Sequence, residues 1–171
     1  AMHQLGIFEA GISEPGEMER LEPIIRPTLG VFTNIGHAHD QFFNTQTQKI
    51  NEKLKLFKRA ELLIYCRDHQ EIHQQIDSLL PELPVFTWGK NQDATLRITK
   101  ITPIQTTTRI EGNYLGRFIS INIPFTDEAS VENAIHCWAV MLLMGYGAEI
   151  VSHRMLLLQP VAMRLELKEG I

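Results

Sequence analysis

The sequence predicts an α/β fold: a mostly parallel sheet flanked by helices, with an antiparallel β extension. Three observations carry this. Between residues 3 and 90, short β-branched apolar runs alternate with stretches whose apolar residues recur at helical spacing. From 91 to 126 the pattern becomes period-two alternation broken by turn residues. From 127 to 171 it returns to helical spacing and closes on a strand-like alternation, MRLELK. Alternating strand and helix is the pattern of a parallel sheet covered by helices, because a parallel crossover needs a connecting helix. Consecutive strands joined by tight turns pair antiparallel. The expected organisation is therefore a single domain in three parts with those boundaries.

Each element has its own local reason. LGIFEA, residues 5–10, is a short apolar run ended by Gly11 and predicts a first, buried strand. Ser13 is placed to cap a helix in which Met18, Leu21, Ile24 and Ile25 recur, and Pro27 ends it. TLGVFTNIG predicts the second strand, stopped by Gly36. Asn44 or Thr45 can cap the next helix, whose apolar face is Ile50, Leu54 and Phe57 at i, i+4 and i+7. Lys53 lies at the edge of that face, where it can be partly desolvated and still reach a cleft. ELLIYC and PVFTWG read as the third and fourth strands, with a helix through Ile72, Ile76, Leu79 and Leu80 between them. In the β-branched region, Asn113 and Gly116 flank a hairpin turn. A long helix runs from about Ser130 to Leu143 with Val131, Ile135, Trp138 and Leu142 as its buried stripe, and AEIVSHRMLLLQ gives a last helix.

Composition narrows the function classes. The chain has 171 residues, 44% of them hydrophobic, enough to bury a core. A net charge of -4 gives no basic footprint for nucleic acid and no attraction to an anionic membrane. No apolar run approaches the ~20 residues of a membrane span, and no charged-then-apolar leader opens the sequence, so a cytoplasmic protein is expected. Cys66 and Cys137 lack metal-type spacing and read as free thiols. Both ends look cut, so the sequence reads as an internal piece of a longer enzyme.

Several motifs invite chemistry. Gly11 and Gly16 have the glycine spacing of a phosphate loop, but Glu17 stands where that loop needs its lysine, and a carboxylate there repels phosphate. His37, His39 and Asp40 form an H-x-H-D cluster after Gly36. Such a cluster supports a metal-dependent hydrolase, or consists only of polar loop residues. Taken singly, Glu9 at a strand end and Lys53 on a helix read as solvated charges. A non-catalytic α/β binding module is a further alternative.

In combination these residues carry more. Glu9 is followed by Gly16-Glu17-Met18, then by Asn34-x-Gly36-x-x-His39, then by Lys53 fourteen positions after His39. This series resembles the central ATP-binding domain of the Mur ligases, and within that family the branch that adds D-alanyl-D-alanine to UDP-N-acetylmuramoyl-tripeptide. The likeness extends to Asn133 in SVENAIHCWAV and Arg164 in AMRLELKEG. The resemblance implies an ATP-dependent carboxylate–amine ligase of peptidoglycan synthesis. It implies Mg2+ held by Glu9, His39 and a carbamylated Lys53, with His39 and Lys53 as the catalytic pair. Asn34, Asn133 and Arg164 are then the nucleotide contacts, Asn133 on adenine and Arg164 on phosphate. Substrates would be bound through further domains, and some relatives are fused to an alanine racemase. Two departures stand out. Ala129-Ser130 replace a histidine–asparagine pair common before the helix asparagine, and Leu54-Lys55 replace the Gly-Glu that follows the lysine.

Overall fold

A computed structural model describes residues 5–36 and 42–159 of the chain. It divides into two compact units, Ala1–Ile98 and Thr99–Ile171.

The first unit holds α1 (Glu17–Ile25), β1 (Leu29–Phe32), α2 (Gln46–Leu54), β2 (Leu62–Cys66), α3 (Gln70–Leu79), β3 (Val85–Gly89) and the start of β4 (Leu96–Ile104). A single 3-10 turn, Lys55–Phe57, extends α2. The strands are ordered β1-β2-β3-β4 and pair in parallel, with Val31 opposite Ile64, Ile64 opposite Phe86, and Trp88 opposite Leu96. When strand order follows chain order and crossovers are right-handed, successive crossover helices fall on one face. Accordingly α2 and α3 pack against each other. Between that helical layer and the sheet lies a core of Phe32, Leu63 and Tyr65 from the strands with Met18, Ile50, Leu54, Phe57, Ile72 and Ile76 from the helices. Each such side chain contributes about 1.5–3 kcal/mol on full burial. Tyr65 places its hydroxyl 2.7 Å from His73 Nδ1, which satisfies the one polar atom this buried ring brings into the core.

Three local expectations are corrected here. LGIFEA is neither helix nor strand: residues 5–13 are irregular, and Ile7 is 90% exposed. An apolar run becomes a strand only where a ladder partner and a covering layer are present, and among the described residues no strand pairs with LGIFEA. Ser13 does not cap α1; the N-cap is Gly16, at φ 90. Its left-handed backbone suits glycine, and a carboxylate from another helix performs the capping, as described below. Ile24 and Leu79, assigned to apolar stripes, are exposed at the ends of their short helices. Thr45 caps α2 as expected, its hydroxyl accepting from the Gln48 N–H at 3.0 Å.

The second unit continues β4 and adds β5 (Thr107–Tyr114), β6 (Arg117–Ile123), α4 (Glu128–Leu143) and α5 (Ala148–Leu156). Here the order is β4-β5-β6, and β5 and β6 pair antiparallel from Thr108–Ile123 to Tyr114–Arg117. Their connection is the two residues Leu115 (φ 51) and Gly116 (φ 74), so both positions of a type I′ turn are left-handed. Asn113 stays in the ladder opposite Phe118 and does not form the turn. α4 starts two residues before the expected Ser130 because Asp127 caps it, accepting from the Ser130 N–H at 2.8 Å. Val131, Ile135, Trp138 and Leu142 are its buried stripe, as the spacing predicts. The strand expected at MRLELK lies outside the described residues.

Candidate active site

The carboxyl end of β1 faces the middle of α2, and two lysines of α2 reach it. Lys53 donates from Nζ to the Asn34 carbonyl at 3.3 Å, and its ammonium stands 5.7 Å from the centroid of the buried Phe32 ring. One helical turn earlier, Lys49 donates to the Gly36 carbonyl at 2.6 Å. Positions i and i+4 share a helix face, so both side chains point to the segment leaving β1. That is where ligands bind in open parallel sheets. Lys53 is half-buried, and this desolvation, helped by the nearby charge of Lys49, holds its pKa below the ordinary lysine value. A larger fraction of neutral amine follows. Asn34 turns its side chain back on its own loop, with Oδ1 accepting from the Ile35 N–H at 2.6 Å, and meets Lys53 through its backbone.

The segment bearing Glu9 is anchored to the same helix. Ile12 is buried in the core, and Ala10 packs against it. Glu52, the residue before Lys53 and only 4% exposed, accepts at Oε1 from the Gly16 N–H at 2.7 Å and the Met18 N–H at 3.3 Å. These are the orphan donors at the start of α1, and their capping group comes from α2. Lys55 pairs with the other Glu52 oxygen at 2.7 Å. Glu9, just before these anchors, is exposed. Glu17 accepts at Oε2 from the Ser13 N–H at 2.5 Å and the Glu14 N–H at 3.1 Å. The turn that mimics a phosphate loop thus fills its own amide donors with a carboxylate, and the reason for rejecting that motif is structural as well as chemical.

The structure therefore brings Lys53 to Asn34, and ties the Glu9 segment to α2. His37, His39, Asp40 and Arg164 lie outside the described residues. Asn133 is exposed on α4 in the second unit. Sequence reasoning overlooked Lys49 and Glu52. The signal for Lys49 was present, since it lies four positions before Lys53. Glu52 carried none, because its partners are backbone amides of a distant segment.

The family model described as Mur ligase middle domain matches residues 1–141. The chain belongs to this family. Among curated proteins, the UDP-N-acetylmuramoyl-tripeptide–D-alanyl-D-alanine ligase of Bacillus subtilis is 25% identical over 167 residues, covering 96% of this chain and 35% of that protein. The Rickettsia prowazekii ligase of the same name is 22% identical, covering 86% of this chain and 34% of its own length. The chain thus spans about a third of these relatives. Among solved structures, MurF from Acinetobacter baumannii superposes with a TM-score of 0.75 at 19% identity, over 94% of this chain and 35% of that one. MurF from Thermotoga maritima in complex with ADP gives 0.73 at 18% identity, over 92% and 36%. At such identities the structural matches establish the fold: the Mur ligase central-domain arrangement of parallel sheet, flanking helices and antiparallel extension.

Proposed function

We propose that residues 1–171 are the central nucleotide-binding domain of an ATP-dependent amide ligase that joins D-alanyl-D-alanine to UDP-N-acetylmuramoyl-tripeptide. Its three parts are the parallel α/β region 3–90, the antiparallel region 91–126, and the helices and last strand 127–171. The family membership supports the class, and the named relatives support the substrates. The observation that carries the site is the half-buried Lys53 aimed at the end of β1.

Chemistry explains that placement. A carboxylate resists attack by an amine because oxide is a poor leaving group. Transfer of the γ-phosphoryl of ATP to the carboxylate gives an acyl phosphate, which the amine opens with release of phosphate. All these groups are anionic, and Mg2+, when bound, neutralises phosphate charge as the phosphoryl group moves. The residues present fit that ion on one condition. Magnesium takes oxygen ligands, and an ammonium at Lys53 would repel it. The neutral Lys53 amine can attack carbon dioxide, forming an N–C bond and releasing a proton to solvent. The product is a carbamate with two oxygens and one negative charge. Burial that disfavours the ammonium favours this reaction. Glu9, His39 and carbamylated Lys53 would then hold Mg2+. Asn133 would contact adenine, Arg164 the phosphates, and Asn34 would fix the loop between β1 and His39.

Phosphate cradling, tripeptide binding and dipeptide binding belong to the remaining length of the polypeptide in this reading, which also places the enzyme in the cytoplasm and, in its fused form, beside an alanine racemase. The test is phosphate release from ATP by the longer polypeptide. The proposal expects release that requires both UDP-N-acetylmuramoyl-tripeptide and D-alanyl-D-alanine, and negligible release by residues 1–171 alone. Release that needs neither substrate, or amide synthesis by the short chain, contradicts it.

A further inference from the structure

Between Ser13 and Met18, four backbone amides donate to two carboxylates. Glu17 accepts from Ser13 and Glu14, and Glu52 accepts from Gly16 and Met18. The first pairing is local. The second crosses from α1 to α2, and helix capping alone does not require that. A serine or aspartate at the N-cap would satisfy such donors within its own turn, but the chain has Gly16 there, which brings no side chain. A carboxylate taken out of water needs compensating partners. Glu52 has them in the two amides and in the Lys55 ammonium at 2.7 Å. Lys55 also stands 3.8 Å from Glu19 of α1, a second link between the same two helices. Together these contacts fix the spacing between the turn that ends at Met18 and the stretch of α2 that carries Lys53.

We propose that Glu52 is a positioning residue of the ligase site: through the Gly16 and Met18 amides it sets where the Glu9 segment stands relative to Lys53, and so how well the two would hold one divalent cation. This rests on the metal reading above and goes beyond it, by assigning a role to a residue that the Glu9–His39–Lys53 series does not contain. The mechanical path is short. Ile12 is buried in the same core as Ile50 and Leu54 of α2, and Ala10 packs against that core. Glu9 lies three residues before Ile12, so its Cα is at most about 11 Å from that anchor. Glu52 and Lys53 are neighbours on α2, so a turn that slips against Glu52 also slips against Lys53. Groups that orient metal ligands without touching the metal typically change its affinity by about 10–100-fold when they are removed.

The test reads metal binding rather than turnover. The full-length ligase, in bicarbonate buffer, is titrated with Mn2+ as a paramagnetic substitute for Mg2+, and the free ion is followed by its EPR signal. The proteins are the wild type, Glu9→Ala, Glu52→Ala, Glu52→Gln and the Glu9→Ala/Glu52→Ala double variant. Glu52→Ala is expected to weaken binding about tenfold. Glu52→Gln is expected to bind like the wild type, because its amide oxygen still accepts from both N–H groups. In the Glu9→Ala background, removing Glu52 is expected to add no further loss, because the ligand it positions is gone. A merely structural role lowers the number of binding sites and leaves the Kd of the folded protein unchanged. An unchanged Kd in Glu52→Ala, a glutamine variant as weak as the alanine one, or additive losses in the double variant overturns the proposal while sparing the metal site. Wild-type affinity in Glu9→Ala overturns the metal reading and the proposal together. Should Glu52→Ala fold too poorly to titrate, Glu52→Asp keeps the charge and withdraws it by one methylene. Weaker binding is expected there too, and an affinity equal to that of the wild type contradicts the proposal.

Discussion

Glu52 shows how one side chain can tie two distant segments of a candidate site together. Its buried carboxylate takes the first amides of α1 while its own helix carries Lys53 at the next position. Replacing it with alanine leaves the Gly16 and Met18 N–H groups without that partner and Lys55 without its ion pair. Loss of a buried charged acceptor of this kind costs about 2–3 kcal/mol. Urea unfolding of Glu52→Ala is expected to show that loss; a change below about 0.5 kcal/mol would mean that the α1 start is held by something else. Sequence reading could find Lys53, because a fixed distance from His39 and an edge position on an apolar face mark it. It could not find Glu52, since capping across helices leaves no local pattern.

At the scale of elements, the apolar periodicities of α2 and α4 were legible residue by residue: Ile50, Leu54 and Phe57, then Val131, Ile135, Trp138 and Leu142, are buried as their spacing predicts. The ends of elements were less so. Local caps such as Thr45 could be read, whereas α1 is capped from a distance, and LGIFEA carries a strand's composition with no described partner. Strand β1 has a tight point that the sequence marks only as a glycine. A Cβ on Gly30 would stand 2.5 Å from Phe57 Cδ1 and 2.8 Å from Leu63 Cδ1. Gly30→Ala therefore overpacks the sheet beneath α2 and is expected to cost about 1–3 kcal/mol, read as a lower denaturation midpoint. The β5–β6 turn makes the opposite prediction. Leu115 holds φ 51, a conformation that costs an ordinary residue about 1–2 kcal/mol and suits asparagine better. Leu115→Asn, giving the favoured Asn-Gly pair, is expected to raise Tm by a few degrees; an unchanged or lower Tm would show that the leucine side chain contributes more than its backbone strain removes.

For the whole molecule, fold and family were both readable from the chain, because the alternation of strands and helices fixes the class and the Glu9–His39–Lys53 series fixes the kinship. Its two compact units, dividing within β4, were not, since a strand that passes from one unit to the next looks continuous in sequence. The central proposal is that Lys53 serves the ligase reaction as a carbamate. Turnover by the full-length Lys53→Ala variant, with and without added short-chain carboxylates, tests it most directly. The account predicts a fall of at least about a hundredfold, equivalent to about 2.7 kcal/mol of transition-state stabilisation, with partial recovery when a free carboxylate replaces the missing oxygens. Wild-type turnover in that variant would contradict it.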